Sequence, residues 1–177
     1  MKYQAYLFVH FIGEGENGEQ IYFSVSRDGL HWKDLNNGMP VIVSQVGEKG
    51  LRDPFILRNR LDGKFYIIAT DLCIHAGKGW GTAQYEGSRN LMVMSSENLT
   101  DWSSPEAVEL AIPQAGCLWA PEAVYDEKTG DYLTYWASMV KCEGEEEAKQ
   151  RIYAARTKDF KQFTEPFVYL ERKNHVI

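Results

Sequence analysis

The chain has 177 residues, 44% of them hydrophobic and 13% aromatic, with six prolines and a formal net charge of −6. That is enough apolar material for a sizeable core, and no tract has the composition of a disordered segment. The acidic balance excludes a nucleic-acid surface, which needs basic patches against phosphate, and nothing in the pattern calls for a membrane partner. Three cysteines, Cys73, Cys117 and Cys142, lack metal-type spacing and leave an odd one out, so free thiols are expected rather than a disulfide framework.

In chain order, Met1-Lys2 and the apolar stretch to Ile12 imitate a signal peptide, but Gly13 to Gly18 follow instead of a small-residue cleavage site. Tyr6 to Phe11 is therefore read as a strand, and the protein is expected to be cytoplasmic, or secreted with its leader absent. Next comes a turn signature, Ser26-Arg-Asp28, ending at Trp32. It returns as Ser96-Glu-Asn98 ending at Trp102, and in a worn copy as Thr157-Lys-Asp159 ending at Phe163. An Asp or Asn at such a place bonds backbone two residues on, and the aromatic residue supplies a plate to pack against the next unit.

Between these signatures the segments read as short strands. Phe55 to Arg58 leads through Leu61-Asp-Gly63 into Phe65 to Thr70 and then Asn90 to Ser95. The later copy runs Glu122 to Tyr125, the turn at 126–130, Tyr132 to Ala137, Arg151 to Ala155 and Phe160 to Phe163. Pro54 and Pro121 are 67 residues apart, as are Gly63 and Gly130. Helix-period stretches are absent, and the acidic run Glu143 to Glu147 reads as a solvated loop. Four-stranded units at a long fixed period predict an all-β fold, a β-propeller of four-stranded antiparallel blades, with repeat units at 1–50, 51–115 and 116–177 in one domain. An ordinary β-sandwich with coincidental turns is the competing reading.

Chemistry concentrates where the units begin. In Arg52-Asp53-Pro54 an acid precedes a proline at the first residue of a strand, where proline costs no ladder bond; Asp53 then projects into the mouth of the channel, or simply caps a turn. One unit later Trp119 and Glu122 approach the same axis. An aromatic face beside carboxylates suits a sugar, whereas Trp119 as a core residue and Glu122 as the partner of an arginine remain the alternatives. Asp71, directly after the strand ending at Thr70, and His75, in a loop over 72–85 long enough to overhang a pocket, are further candidates for contacting substrate hydroxyls. Arg89 is placed to pair with Asp71 or Glu122.

Arg-Asp-Pro at 52–54, Asp62 to Tyr66, the signature ending at Trp102, and Trp119-Ala-Pro-Glu122 together resemble glycoside hydrolase family 43 over roughly residues 50 to 165. The resemblance implies a five-bladed propeller, of which about three blades are present. It implies cleavage of α-L-arabinofuranosyl or β-D-xylosyl linkages (arabinofuranosidase or xylosidase activity) in plant polysaccharide fragments, by an inverting mechanism. Asp53 takes the place of the general base, and Trp119, Ala120 and Pro121 line the sugar pocket with Glu122 just behind. Arg52, Asp71, His75 and Arg89 stay as substrate-binding candidates.

No cofactor is expected. The resemblance admits a structural calcium ion, for which nothing here forms a recognisable ligand set. The family's two later acids, a tuning Asp and a general-acid Glu, have no match, and Asn174 to Ile177 look like the lead-in to the next blade. Three units cannot close a ring. The chain is accordingly expected to be a piece of a longer protein, or else to self-associate through its open blade faces. A non-catalytic carbohydrate-binding propeller is the alternative function. A fructan-type hydrolase, which also uses Arg-Asp-Pro, would need an Asp-Pro in an earlier blade, and residues 1–50 have none.

Overall fold

The computed structural model describes residues 4–173. The predicted lead-in at Asn174 to Ile177 and the first residues of the signal-like stretch lie outside them. Three antiparallel sheets follow one another along the chain. The first holds β1 (Tyr6–His10), β2 (Tyr22–Ser26) and the short β3 (Lys33–Asp34). The second holds β4 (Arg52–Arg58), β5 (Phe65–Thr70), β6 (Asn90–Ser96) and β7 (Glu106–Glu109). The third holds β8 (Trp119–Asp126), β9 (Asp131–Val140), β10 (Lys149–Thr157) and β11 (Phe167–Leu170).

Each sheet is a meander in which every strand pairs with its sequence neighbour. β1 lies beside β4 and β4 beside β8, so the first strands of successive sheets gather on one side. This is the arrangement of consecutive propeller blades.

Two cores explain the patterning. One lies between the first and second sheets and contains Val9, Phe23, Ile67, Ala69, Met92 and Met94. The other lies between the second and third and contains Tyr66, Ile68, Leu91, Val93, Trp136 and Tyr153. Successive side chains of β5 and β6 thus enter opposite cores, which is why both strands read as continuous apolar runs. The outer sheets have only one covered face. Phe8 and Trp32 on the first, and Val124 and Tyr169 on the third, stay exposed on the sides turned away from the middle sheet.

The recurring signature is a single side-chain-locked turn used three times. Ser26 Oγ accepts the backbone N–H groups of Asp28 and Gly29, and Asp28 Oδ1 accepts those of Leu30 and His31. Ser96 with Asn98, and Thr157 with Asp159, repeat this bond for bond. The residue after the Asp or Asn has a positive φ in all three, +77° at Gly29, +69° at Leu99 and +56° at Phe160. For a bulky residue that conformation carries a steric cost that packing can offset. Phe160 is fully buried, with its ring 5.0 Å from that of Tyr66 and 5.2 Å from that of Tyr132. Trp102 meets Phe23 of the first sheet edge-on at 5.8 Å, a plate between neighbouring units.

The structure differs from the sequence reading in three places. Phe160 to Phe163 is turn rather than strand, because Phe160 is spent on the left-handed position; the fourth strand is β11, four residues further on. Residues 80–85, read as loop, form a short helix, α1 (Trp80–Tyr85), whose Ala83 is buried. Glu145, in the acidic run, is bound by Arg151 and Lys149 rather than left to solvent. All three cysteines are free, and no helix among the described residues is long and apolar enough to cross a membrane.

Phe160→Ala removes a ring held between two blades and leaves the strained backbone without its compensation. The expected cost is about 3–5 kcal/mol, read as a lower urea midpoint. An unchanged midpoint would show that the two cores do not depend on this ring.

Candidate functional site

The site forms where β4 and β8 begin. Both strands open on a β-bulge, with a register shift between Arg52 and Phe55 in one and between Trp119 and Glu122 in the other. The second residue of each bulge lies in the left-handed region, Asp53 at φ +48° and Ala120 at φ +47°, and a proline follows in both. Proline has no N–H to lose at a bulge. Asp is among the residues that tolerate this conformation best.

Asp53 is half-buried, and its Oδ2 accepts a hydrogen bond from Thr70 Oγ1 at 3.0 Å. Thr70 is fully buried and itself accepts the backbone N–H of Ala120 at 2.9 Å. One hydroxyl therefore joins the carboxylate of the second sheet to the backbone of the third.

Arg52, next in sequence to the acid, is buried and paired through its Nη1. Its Nη1 lies 2.8 Å from Glu19 Oε1 and 3.6 Å from Glu14 Oε1. Its guanidinium sits over the Phe11 ring at 4.7 Å and the Trp80 ring at 4.8 Å from their centroids. Trp80, on α1, meets Trp119 edge-on at 6.0 Å. Phe11, Arg52, Trp80 and Trp119 thus make a continuous aromatic and cationic wall beside the acid, with Trp80 46% exposed.

Glu19 is the anchor of this wall. It is 1% exposed, and besides Arg52 it accepts the backbone N–H groups of Ile74 and His75 at 2.9 and 2.8 Å. Burial alone would raise its pKa, but the bonds from His75, Ile74 and Arg52 outweigh burial and hold it below the usual carboxylate range.

The remaining candidates are dispersed. Asp71 is buried, and its carboxylate accepts the Glu48 N–H at 2.7 Å and the Ser88 hydroxyl at 2.6 Å, closing the turn around Gly47. That turn leaves no room for a side chain, since a Cβ at Gly47 would lie 2.2 Å from Asp71 Oδ2. His75 is exposed, with Nδ1 3.1 Å from the Glu14 carbonyl. Arg89 pairs with neither Asp71 nor Glu122; it binds Glu109 at 2.5 Å and the Pro113 carbonyl at 2.8 Å.

Glu122 stands beside Ala123, which packs into the core, so Glu122 points to the opposite face. There it accepts the Tyr135 hydroxyl at 2.6 Å, a bond that, with some burial, pushes the phenol up to about 12. Among the described residues no group of three or more His, Cys, Asp or Glu is arranged to hold a metal ion.

Sequence reasoning missed Thr70, Glu19 and Trp80 as parts of this site. Thr70 was visible only as the polar residue ending an apolar run, and Glu19 as a lone acid before one. Trp80 was visible as the aromatic residue in a glycine-rich loop.

The fold thus sets one carboxylate and an aromatic wall at the start of consecutive propeller-like sheets. The family model described as a probable glycosyl hydrolase domain matches residues 1–177. The chain belongs to that family, which is related to glycoside hydrolase family 43. An α-L-arabinofuranosidase of Bifidobacterium longum is 31% identical over 92% of the chain, and the chain spans 17% of that relative's length. Among solved structures, a family 43 β-1,3-galactosidase superposes with a TM-score of 0.63 at 12% identity, over 97% of this chain and 34% of its own. A family 32 β-fructofuranosidase of Bombyx mori does so with 0.64 at 13% identity, over 97% and 36%. Likenesses at such low identity establish the fold.

Glu19→Gln keeps the shape of the anchor but leaves Arg52 buried without its close partner, at an expected cost of about 3–5 kcal/mol at neutral pH. The wild-type contribution of Glu19 is complete above an unfolded pKa of about 4.3 and is lost as pH falls through the lowered native value. The variant's unfolding free energy, measured by urea titration from pH 7 to pH 3, should therefore fall less steeply on the acid side. Parallel curves would remove Glu19 from the linkage.

Proposed function

We propose that this chain supplies the general-base half of an inverting glycoside hydrolase that cleaves α-L-arabinofuranosyl or β-D-xylosyl linkages in arabinose- or xylose-containing oligosaccharides. The observation that carries the reading is the Asp53 carboxylate, held at the start of an inner strand by a strained bulge and a buried hydroxyl, beside exposed tryptophan. Backbone strain of this kind concentrates at functional sites.

In this reading the sugar stacks against Trp119 and Trp80, whose faces suit its C–H surface. Asp53 takes a proton from a water molecule, whose oxygen bonds to the anomeric carbon as the bond to the leaving oxygen breaks. The leaving oxygen takes its proton from a general acid on the other side of the sugar, about 6.5–9.5 Å from the base in inverting enzymes. On the family pattern that acid belongs to a later blade. Arg52 acts indirectly: bound by Glu19 and Glu14, it holds Trp80 in place rather than offering a free charge to the substrate.

A second reading is a carbohydrate-binding propeller without turnover. It is favoured by the pairing of Arg52 with Glu19 and Glu14 and by the single carboxylate at the bulges, Ala120 standing where a second would be. The two readings part on Asp53→Asn in the natural polypeptide containing this chain. For the hydrolase, turnover of aryl α-L-arabinofuranosides or β-D-xylosides should fall at least about 10²- to 10⁴-fold with the fold intact; undiminished hydrolysis would end the assignment. For the binding module, wild type would show no turnover and the variant would keep its affinity. Trp119→Ala should weaken binding of the same sugars by about 0.5–1.5 kcal/mol or more, measured by calorimetric titration, and unchanged affinity would make Trp119 a packing residue.

A further inference from the structure

We propose that Thr70 is a positioning residue for the Asp53 carboxylate, setting which oxygen is free to take the proton. The inference rests on the reading of Asp53 as the base.

A threonine hydroxyl has one proton to give and two lone pairs. The Ala120 N–H, 2.9 Å away, occupies the acceptor side of Thr70 Oγ1, and the proton is given to Asp53 Oδ2 at 3.0 Å. The hydroxyl has little freedom to choose otherwise. Thr70 is 0% exposed, so water does not compete for it, and its β-branched side chain is stiff about χ1. Its backbone is pinned as well, since Thr70 pairs with Arg52 across β4 and β5 and with Leu91 across β5 and β6.

The donor from the third sheet exists because of the bulge. Between Trp119 and Glu122 the β8 ladder breaks register, and the Ala120 N–H turns to Thr70 instead of to β9. Three strands therefore converge on one oxygen atom. Oδ2 of Asp53 is tied down, while Oδ1 accepts no hydrogen bond from the described residues. A carboxylate held by one oxygen and open at the other presents one defined lone-pair set to an incoming water. Misplacement of a reacting group by about 1 Å is enough to cost on the order of 10²-fold in rate.

The test uses the natural polypeptide that contains this chain, assayed on aryl arabinofuranosides and xylosides, with Asp53→Asn as control. Thr70→Val, which keeps the shape and removes the hydroxyl, should lower kcat about 10- to 100-fold with KM within about twofold, because the sugar-stacking wall is untouched. Thr70→Ser, which keeps the hydroxyl, should retain most of kcat. If Thr70→Val does not fold, Thr70→Ala takes its place with the same expectation. A merely structural threonine would lower the thermal midpoint of the valine variant while leaving kcat per folded molecule unchanged. That outcome overturns the proposal, as does a serine variant as slow as the valine one. An active Asp53→Asn protein would sink the base assignment itself, whereas an inactive one beside a fully active Thr70→Val would sink the role of Thr70 alone.

Discussion

Everything in this chain hangs on a sheet covered from both sides. β5 and β6 send alternate side chains into two different cores, Ile67, Ala69, Met92 and Met94 one way and Tyr66, Ile68, Leu91 and Val93 the other. Neither outer sheet touches a core that does not include the middle one. The buried side chains of the middle sheet are aliphatic and sulfur-containing on the side facing the first sheet, and joined by aromatic Phe160 and Tyr132 on the other. A shift of one residue in either strand would exchange the two sets and spoil both interfaces. Register is therefore fixed twice over, and so is the place where β5 ends at Thr70 and β4 begins at Arg52.

The site inherits that rigidity and adds polar constraints of its own. Arg52 is a charge beside the carboxylate in sequence but not its partner in space: its guanidinium belongs to Glu19 and Glu14 and to the faces of Phe11 and Trp80. A buried ion pair of this sort adds little net stability over an apolar substitute. Its contribution is geometric, since Glu19 also gathers the backbone of residues 74 and 75 and so ties the loop carrying α1 back onto the first sheet. The acid is left to a neutral donor, the Thr70 hydroxyl.

Much of the fold was legible because repetition is written locally. The three locked turns need only residues within a few positions of one another, and the matched spacing of Gly63 and Gly130, at φ +78° and +70°, marks the same hairpin in two blades. The limits of β5 and the existence of β1, β4, β6, β8, β9 and β10 follow from short apolar and aromatic runs bounded by turn residues. The fourth strand of the last unit was misplaced because an aromatic residue at a left-handed turn position looks, in sequence, like a strand residue. Around Asp53, the motif and its proline pointed to the right strand end. Thr70, Glu19 and Trp80 did not announce themselves, since their partners are dozens of residues away: Arg52 and Glu19 are 33 apart, and Ala120 and Thr70 are 50 apart. Asp71 and Arg89 were attractive as polar residues near a strand end, but each is consumed by turn and edge contacts that only the assembled loops create.

The two bulges carry a further implication. Asp53 and Ala120 have φ values within a degree of each other, the same following proline and the same break in register. Alanine gains nothing from such a conformation, which costs a non-glycine residue roughly 1–2 kcal/mol, so the twist belongs to the blade and not to the acid. The second and third sheets thus offer an equivalent socket where β4 and β8 begin, and chemical function is a matter of which sockets are filled. Duplication of such a unit would carry the strained geometry along at no new cost in design. A second carboxylate aimed at the same axis would then require a change of one side chain, with no change of fold.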